Sequence, residues 1–180
     1  MSHPKQNMVE KNFNLKIEIM DSSMFDNIPS EEDIKKWISE SFQFINNENK
    51  PNSNMMELCL KSVSSDEIQK LNKQYRGKDK KTNVLSFPSK SKDSIYWPES
   101  PRYHLGDIVI CPEIIDLEAK RQKKEINFHW CHIVIHGFLH LFGFDHVSDS
   151  SAKEMELLEK KICIYLGFSD PYLQNLSDKH

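Results

Sequence analysis

The chain has 180 residues, of which 38% are hydrophobic and 28% charged, values that suit one globular domain with a sizeable core. It contains no run of ~18 apolar residues, and its polar N-terminus lacks the apolar stretch of a secretory signal. The net charge of −3 is unlike that of proteins that wrap nucleic acid. We therefore predict a cytoplasmic protein that does not enter a membrane.

The first part of the chain predicts a strand, a helix and a second strand. Residues 15–20 alternate apolar and polar side chains, as a half-buried strand does. Ser30 precedes three acidic residues and an apolar pattern at helical spacing, which predicts a helix that begins after Ser30. Residues 56–63 predict the second strand.

A second helix is predicted over residues 66–75, with Ser64 or Ser65 as its N-cap. We expect three of its side chains to face the core: Ile68, Leu71 and Tyr75. Two further strands follow, over residues 82–87 and 105–111.

The segment between these strands, residues 89–103, has no periodicity and predicts a long surface loop. Three helices complete the chain: one opened by Pro112 over residues 112–125, one over residues 128–142, and one from Ser148 or Asp149 to Gly167.

The predicted order β-α-β-α-β-β-α-α-α indicates an α+β fold, close to α/β, with one small mixed sheet of about four strands flanked by helices. We expect one catalytic domain at residues 14–172, between a flexible N-terminal segment at 1–13 and a flexible tail at 173–180. The candidate metal site lies on a helix and turn in the C-terminal part of this domain.

Three histidines with metal-ligand spacing lie in the segment HGFLHLFGFDH, residues 136–146. His136 and His140 are four residues apart, so on a helix they lie about 40° apart around the axis and one turn apart along it. Gly143 can adopt a positive φ, which lets the chain turn and bring in His146 as a third ligand. Three imidazoles leave one tetrahedral position open, as in catalytic zinc sites. The pattern predicts one metal ion per chain, with zinc the expected metal.

The same spacing occurs in H-E-x-x-H-x-x-G-x-x-H, the metal-binding helix of the metzincin proteases. In this chain Gly137 replaces the Glu that serves there as general base for peptide hydrolysis. The predicted ligand set is therefore protease-like, while the chemistry need not be.

The roles of three neighbouring residues are left open. His132 lies one helical turn before His136 and either orients a ligand or packs in the core. Asp145 either moves a proton or, as we favour, stabilises the turn before His146. The role of His129 is likewise left open.

The four cysteines lie in or beside apolar runs, and no two form a C-x-x-C pair. In a reducing cytosol this predicts small core side chains instead of disulfides. The residues are Cys59, Cys111, Cys131 and Cys163.

Basic residues concentrate between Lys70 and Lys81, where six of them accompany only Asp79, and again between Lys120 and Lys124. Such clusters either contact phosphates or form solvated helix ends, and the sequence leaves both interpretations open.

Four segments together carry a family resemblance. HGFLHLFGFDH is similar to H-G-x-L-H-L-x-G-[YF]-D-H, and LNKQYRGKDKKTNVLSFP (residues 71–88) to L-N-x-x-Y-R-x-K-D-x-P-T-N-V-L-S-F-P. LGDIVIC (residues 105–111) and LGFSDPY (residues 166–172) fit the same family. From about Leu58 to Tyr172 the chain thus resembles the YbeY family, bacterial zinc-dependent endoribonucleases that mature ribosomal RNA. Lys81 stands where the family usually has proline.

The resemblance implies that His136, His140 and His146 hold the zinc and that Arg76, from the Y-R-x-K-D motif, is catalytic. A guanidinium fork can bind the charge that builds on a phosphate during RNA cleavage. The alternative is that Arg76 is a solvated arginine at a helix end. As candidate substrate-binding residues we name two more: Lys78 and Ser86.

The resulting hypothesis is a single-strand-specific, zinc-dependent endoribonuclease that acts in maturation of small-subunit ribosomal RNA and in ribosome quality control. Its partners would be ribosomal RNA and the ribosome or its proteins, and neither DNA nor a membrane. One alternative is a metalloendopeptidase-like hydrolase. Another is a ribosome assembly factor with a structural zinc, whose fourth ligand would come from His104 or His129. The attacking nucleophile, water or the RNA 2′-hydroxyl, is left open.

Overall fold

A mixed four-stranded sheet forms one layer of the molecule. The computed structural model describes residues 14–46, 49–51, 53, 55–89 and 102–173. The strands are β1 (Asn14–Met20), β2 (Met55–Ser62), β3 (Val84–Pro88) and β4 (Arg102–Ile110). Across the sheet their order is β1-β2-β4-β3, with β1, β2 and β4 parallel and β3 antiparallel to β4. The predicted α+β class with one small mixed sheet is confirmed.

Five α-helices accompany the sheet in the described residues. They are α1 (Glu31–Phe42), α2 (Ser65–Arg76), α3 (Pro112–Gln122), α4 (Ile126–Leu141) and α5 (Asp149–Tyr165). Side chains cap the start of four of them. Ser30, Ser64 and Ser148 each accept a hydrogen bond from a backbone N–H three residues on, and the Glu125 carboxylate caps α4. Pro112 is the first residue of α3. Proline lacks a backbone N–H, but the first N–H groups of a helix have no intrahelical acceptor, so no hydrogen bond is lost there.

Helix α4 is the central element of the core. It contacts β3, β4 and the helices α1, α3 and α5, and most of its residues are buried. Gly137 lets this helix approach the sheet closely, since a Cβ at that position would lie 3.0 Å from Ile108 Cγ2 and 3.1 Å from Val84 Cγ2. The histidines on α4 are therefore attached to an element that is packed from several sides.

Two details of the predicted elements are wrong. Tyr75 does not face the core: it is 58% exposed, and its ring packs edge-on against that of Phe87, with centroids 5.2 Å apart. The last turn of α2 thus touches β3 through Phe87 and leaves the rest of the tyrosine ring in solvent. The predicted strand boundaries also shift, since β3 begins at Val84 and β4 already at Arg102.

Several expectations concern residues outside the described part of the chain. These are the flexible segment 1–13, residues 90–101 of the long loop, and residues 174–180 of the tail. Within the described part, each helix is too short or too polar to cross a membrane. The predicted state of the cysteines is confirmed: all four are free thiols, three of them buried and Cys59 half-buried.

Candidate metal centre

The three predicted histidines come together at the C-terminal end of α4. His136 and His140 lie on consecutive turns, and their Nε2 atoms are 3.1 Å apart. Gly143 has φ +88° and reverses the chain after the helix, which brings the exposed His146 ring to 5.2 Å from the ring of His140. One ring nitrogen from each histidine lies within 4.8 Å of the others, so the group could hold a metal ion.

Contacts behind the rings fix how the two helical histidines face this point. His136 Nδ1 donates to Glu159 Oε1 at 2.8 Å, and His140 Nδ1 donates to the backbone carbonyl of Phe144, also at 2.8 Å. A carboxylate and a carbonyl only accept, so both protons sit on Nδ1. In neutral imidazoles the two Nε2 lone pairs then point at one another, an arrangement that a shared metal ion satisfies. The donor set therefore fits a metal centre.

The charge state of His140 suits this role. Burial lowers the pKa of His140 to about 4, and the neighbouring charge of His136 acts in the same direction. The imidazole is therefore neutral near pH 7, as a metal ligand must be. The side chain of His136 is 25% exposed and His146 is exposed, so the centre is open to solvent and to a substrate.

A buried carboxylate, Glu159 on α5, underlies the centre and was missed in the sequence. Its side chain is 1% exposed and accepts hydrogen bonds from His136, from His132 Nε2 at 2.8 Å, and from the Tyr172 hydroxyl. Burial alone would raise the pKa of Glu159, but the bonds from His132 and His136 outweigh it and lower the pKa to about 2. The position carries a sequence signal, because Glu159 interrupts the apolar stripe formed by Met155 and Ile162 on α5.

The structure assigns contacts to the residues whose roles the sequence left open. His132 contacts Glu159, the carboxylate that also binds His136 of the metal centre. Asp145 Oδ1 accepts the backbone N–H of Val147 at 3.2 Å, which supports the interpretation that it stabilises the turn.

The two candidate fourth ligands lie elsewhere in the described residues. His104 Nε2 is 3.1 Å from Asp107 Oδ1, and His129 Nε2 donates to Glu118 Oε2 at 2.9 Å. Among the described histidines, cysteines and acidic residues, none joins the group of three, so no described side chain closes the fourth position.

Two of the predicted substrate-contacting residues, Arg76 and Ser86, connect through hydrogen bonds to the helix that carries His136. Arg76 ends α2, is exposed, and donates from Nη2 to the backbone carbonyl of Ser86 at 3.0 Å. Its charge adds a smaller contribution to the lowered pKa of His140, behind burial and His136, so the guanidinium is within electrostatic range of the metal centre. Lys78 is exposed two residues further on.

Ser86 has a different environment from the one expected of a substrate contact. Its side chain is buried, and its hydroxyl donates to the backbone carbonyl of Gly137 at 2.8 Å. This bond joins β3 to α4 one residue after His136, a member of the candidate metal group. Arg76, Ser86 and Gly137 therefore form a continuous path from the end of α2 to the metal-binding helix.

Comparison with known proteins identifies the family of this chain. The profile described as Endoribonuclease YbeY matches residues 5–167. The chain belongs to the YbeY family. Membership in the YbeY family assigns it to the endoribonucleases, hydrolases of ribosomal RNA processing. A similar solved structure is the solution structure of TM1509 from Thermotoga maritima, at 25% identity over 87% of this chain and 99% of that chain, with a TM-score of 0.48.

Proposed function

We propose that this protein is a zinc-dependent endoribonuclease that cleaves single-stranded RNA in maturation of small-subunit ribosomal RNA and in ribosome quality control. The observation that carries the proposal is the pair of Nε2 atoms of His136 and His140, held 3.1 Å apart with His146 beside them. A zinc ion in such a site lowers the pKa of bound water toward ~7 and polarises a phosphoryl oxygen. The predicted ion is one zinc per chain.

The residues around the centre support an anionic substrate. Neutral imidazoles add no negative charge, so a bound Zn²⁺ would keep a net positive charge even with the single Glu159 carboxylate behind His136. Arg76 adds a second cation within range of it. One N–H of Arg76 is used on the Ser86 carbonyl, and no other described residue accepts from its remaining N–H groups. Those groups can bind the phosphate as a fork.

Two more side chains enter the proposal with separate roles. Lys78, exposed beside Arg76, is proposed to contact the phosphate backbone of the RNA. For Ser86, the buried hydroxyl supports a role in fixing α4 against β3, and direct contact with substrate stays a prediction. Association with the ribosome and a cytoplasmic location also stay predictions.

The chemistry of position 137 argues against peptide hydrolysis. Gly137 has no side chain that could serve as general base, and a Cβ there would already press against Ile108 and Val84. The family match to endoribonucleases points the same way. The structural-zinc alternative is disfavoured because the described residues supply only three ligands.

The test compares four substrates with one zinc-loaded preparation: single-stranded RNA, duplex RNA, single-stranded DNA and casein. We expect cleavage of single-stranded RNA alone, lost on addition of a chelator and restored by zinc. His140→Ala is the control, since it removes a ligand and should remove both most of the zinc and the activity. Chelator-sensitive cleavage of casein without RNA cleavage would instead establish the peptidase, and tight zinc without any hydrolysis the structural site.

A further inference from the structure

The segment that follows α5 returns to the metal centre. Residues 166–172 form the LGFSDPY motif, to which the proposed cleavage chemistry assigns no role. Its last residue, Tyr172, donates its hydroxyl to Glu159 Oε2, the oxygen that also accepts from His132. The Tyr172 ring lies edge-on to that of His132, with 5.5 Å between centroids.

Other contacts hold this closing segment in place. Asp170 pairs with Lys160 of α5 at 2.7 Å and accepts the backbone N–H of Tyr172 at 2.9 Å. Lys124, between α3 and α4, donates to the carbonyl of Pro171 at 3.0 Å. Phe168 stacks on Phe128 of α4, with ring centroids 5.7 Å apart. These contacts hold the segment in the position that places the Tyr172 hydroxyl against the buried Glu159 carboxylate.

The two oxygens of the Glu159 carboxylate contact different groups, one the metal ligand His136 and the other the closing segment. Glu159 Oε1 orients His136, while Oε2 takes the Tyr172 hydroxyl and His132. A carboxylate behind a ligating histidine fixes the tautomer and the orientation of the ring. Removing a donor from Oε2 leaves the buried charge less satisfied and its position less defined.

We propose that Glu159 is a positioning residue for the metal ligand His136 and that Tyr172 couples the closing segment 166–173 to the metal centre. Binding of metal and ordering of this segment then stabilise each other, because coupling between two sites is reciprocal. The inference rests on the metal centre of the proposed function, but not on RNA as the substrate.

The experiment measures zinc affinity by competition with a chelating dye, in the full-length chain. Glu159→Gln places an amide NH₂ opposite one of the donors, and we expect zinc affinity to fall about 10- to 100-fold. Tyr172→Phe removes one hydrogen bond, and we expect a fall of about two- to tenfold. In the Glu159→Gln background, Tyr172→Phe should change zinc affinity less than about twofold, because Tyr172 acts through Glu159.

Matched controls use the same chemical changes at exposed positions. Glu156→Gln removes an exposed carboxylate from α5, and Tyr165→Phe removes a hydroxyl that donates to Glu40 at 3.3 Å. Both should bind zinc as the wild type does. Hydrogen exchange supplies a readout that needs no variant: backbone amides of residues 166–173 should exchange several-fold more slowly once zinc is added.

The outcomes separate this coupling from the proposed function. Wild-type zinc affinity in both Glu159→Gln and Tyr172→Phe overturns the coupling and leaves the metal centre intact. Unchanged exchange of residues 166–173 on zinc binding also overturns it, even where Glu159→Gln fails to fold. A wild type that binds no zinc overturns the metal centre and the coupling together.

Discussion

Arg76 is the residue on which phosphate binding depends in the proposed reaction. Arg76→Lys keeps the positive charge but replaces a planar fork with a point charge, which lacks the two parallel N–H groups that match a pair of phosphoryl oxygens. We expect a loss on the order of 2–4 kcal/mol of transition-state stabilisation, the range for one preorganised donor group. The measurement is kcat/KM for cleavage of a single-stranded RNA.

The same substitution should affect the fold only slightly. The lost bond to the Ser86 carbonyl is expected to cost about 1 kcal/mol of unfolding free energy, and zinc content should stay at the wild-type level. Arg121→Lys at the exposed end of α3 is the matched control and should cleave RNA normally. Normal cleavage by Arg76→Lys would remove this residue from the mechanism, and loss of zinc would make it structural.

The packing of helix α4 against the sheet determines where the histidines of the metal centre lie. Gly137→Ala gains about 1 kcal/mol of helix propensity, but its Cβ would lie 3.0 and 3.1 Å from the stiff side chains of Ile108 and Val84. Overpacking of this kind costs about 1–3 kcal/mol, so we expect a net loss of about 1 kcal/mol in unfolding free energy. Denaturant titration with both proteins zinc-free checks this.

A larger side chain at the same position tests the argument against a peptidase. Gly137→Glu would force a charged side chain into a position where even a Cβ is crowded by Ile108 and Val84. We expect this variant to unfold or aggregate and to show no peptide cleavage. A well-folded Gly137→Ala of increased stability would show that the sheet side chains yield to the methyl group.

Features that depend on local chemistry were predictable from the sequence. The caps Ser30, Ser64 and Ser148 bond to residues three positions away, and the close approach of His136 and His140 on α4 follows from helical spacing. Strand ends were less accurate, because pairing with β2, a distant segment, sets where β4 begins at Arg102. The two paired strands are far apart in the sequence, so the local pattern of one strand does not show where its pairing with the other begins.

Glu159 marks the limit of sequence reasoning at the site. It lies 23 residues from His136, and only the packing of α5 on α4 brings the two together. The burial of Ser86 could not be predicted either, since it depends on the close approach that Gly137 permits. A polar residue in an apolar helical stripe, as at Glu159, is the one local sign of such a contact.

For the molecule as a whole, zinc should stabilise the native fold. Its ligands span the end of α4 and the turn before α5, which are not held in this geometry in the unfolded chain. At free zinc 100 times the dissociation constant, mass action contributes about 2.7 kcal/mol. For a chain of this size that corresponds to a rise in Tm of about 5–10 °C. Thermal unfolding in chelator and in stepwise zinc measures it.

Two histidine variants show whether the stabilisation comes from the three assigned ligands. His140→Ala should abolish the zinc-dependent rise in Tm, because one of the two opposed Nε2 atoms is gone. His104→Ala should keep the rise in full, because His104 contacts Asp107 on β4 and stands outside the group of three. A rise that survives His140→Ala, or that disappears with His104→Ala, would mean that zinc binds through a different set of ligands. In that case the geometry at the end of α4 would not be the source of zinc-dependent stability, and the RNA-cleaving centre would have to be sought around the ligands that replace it.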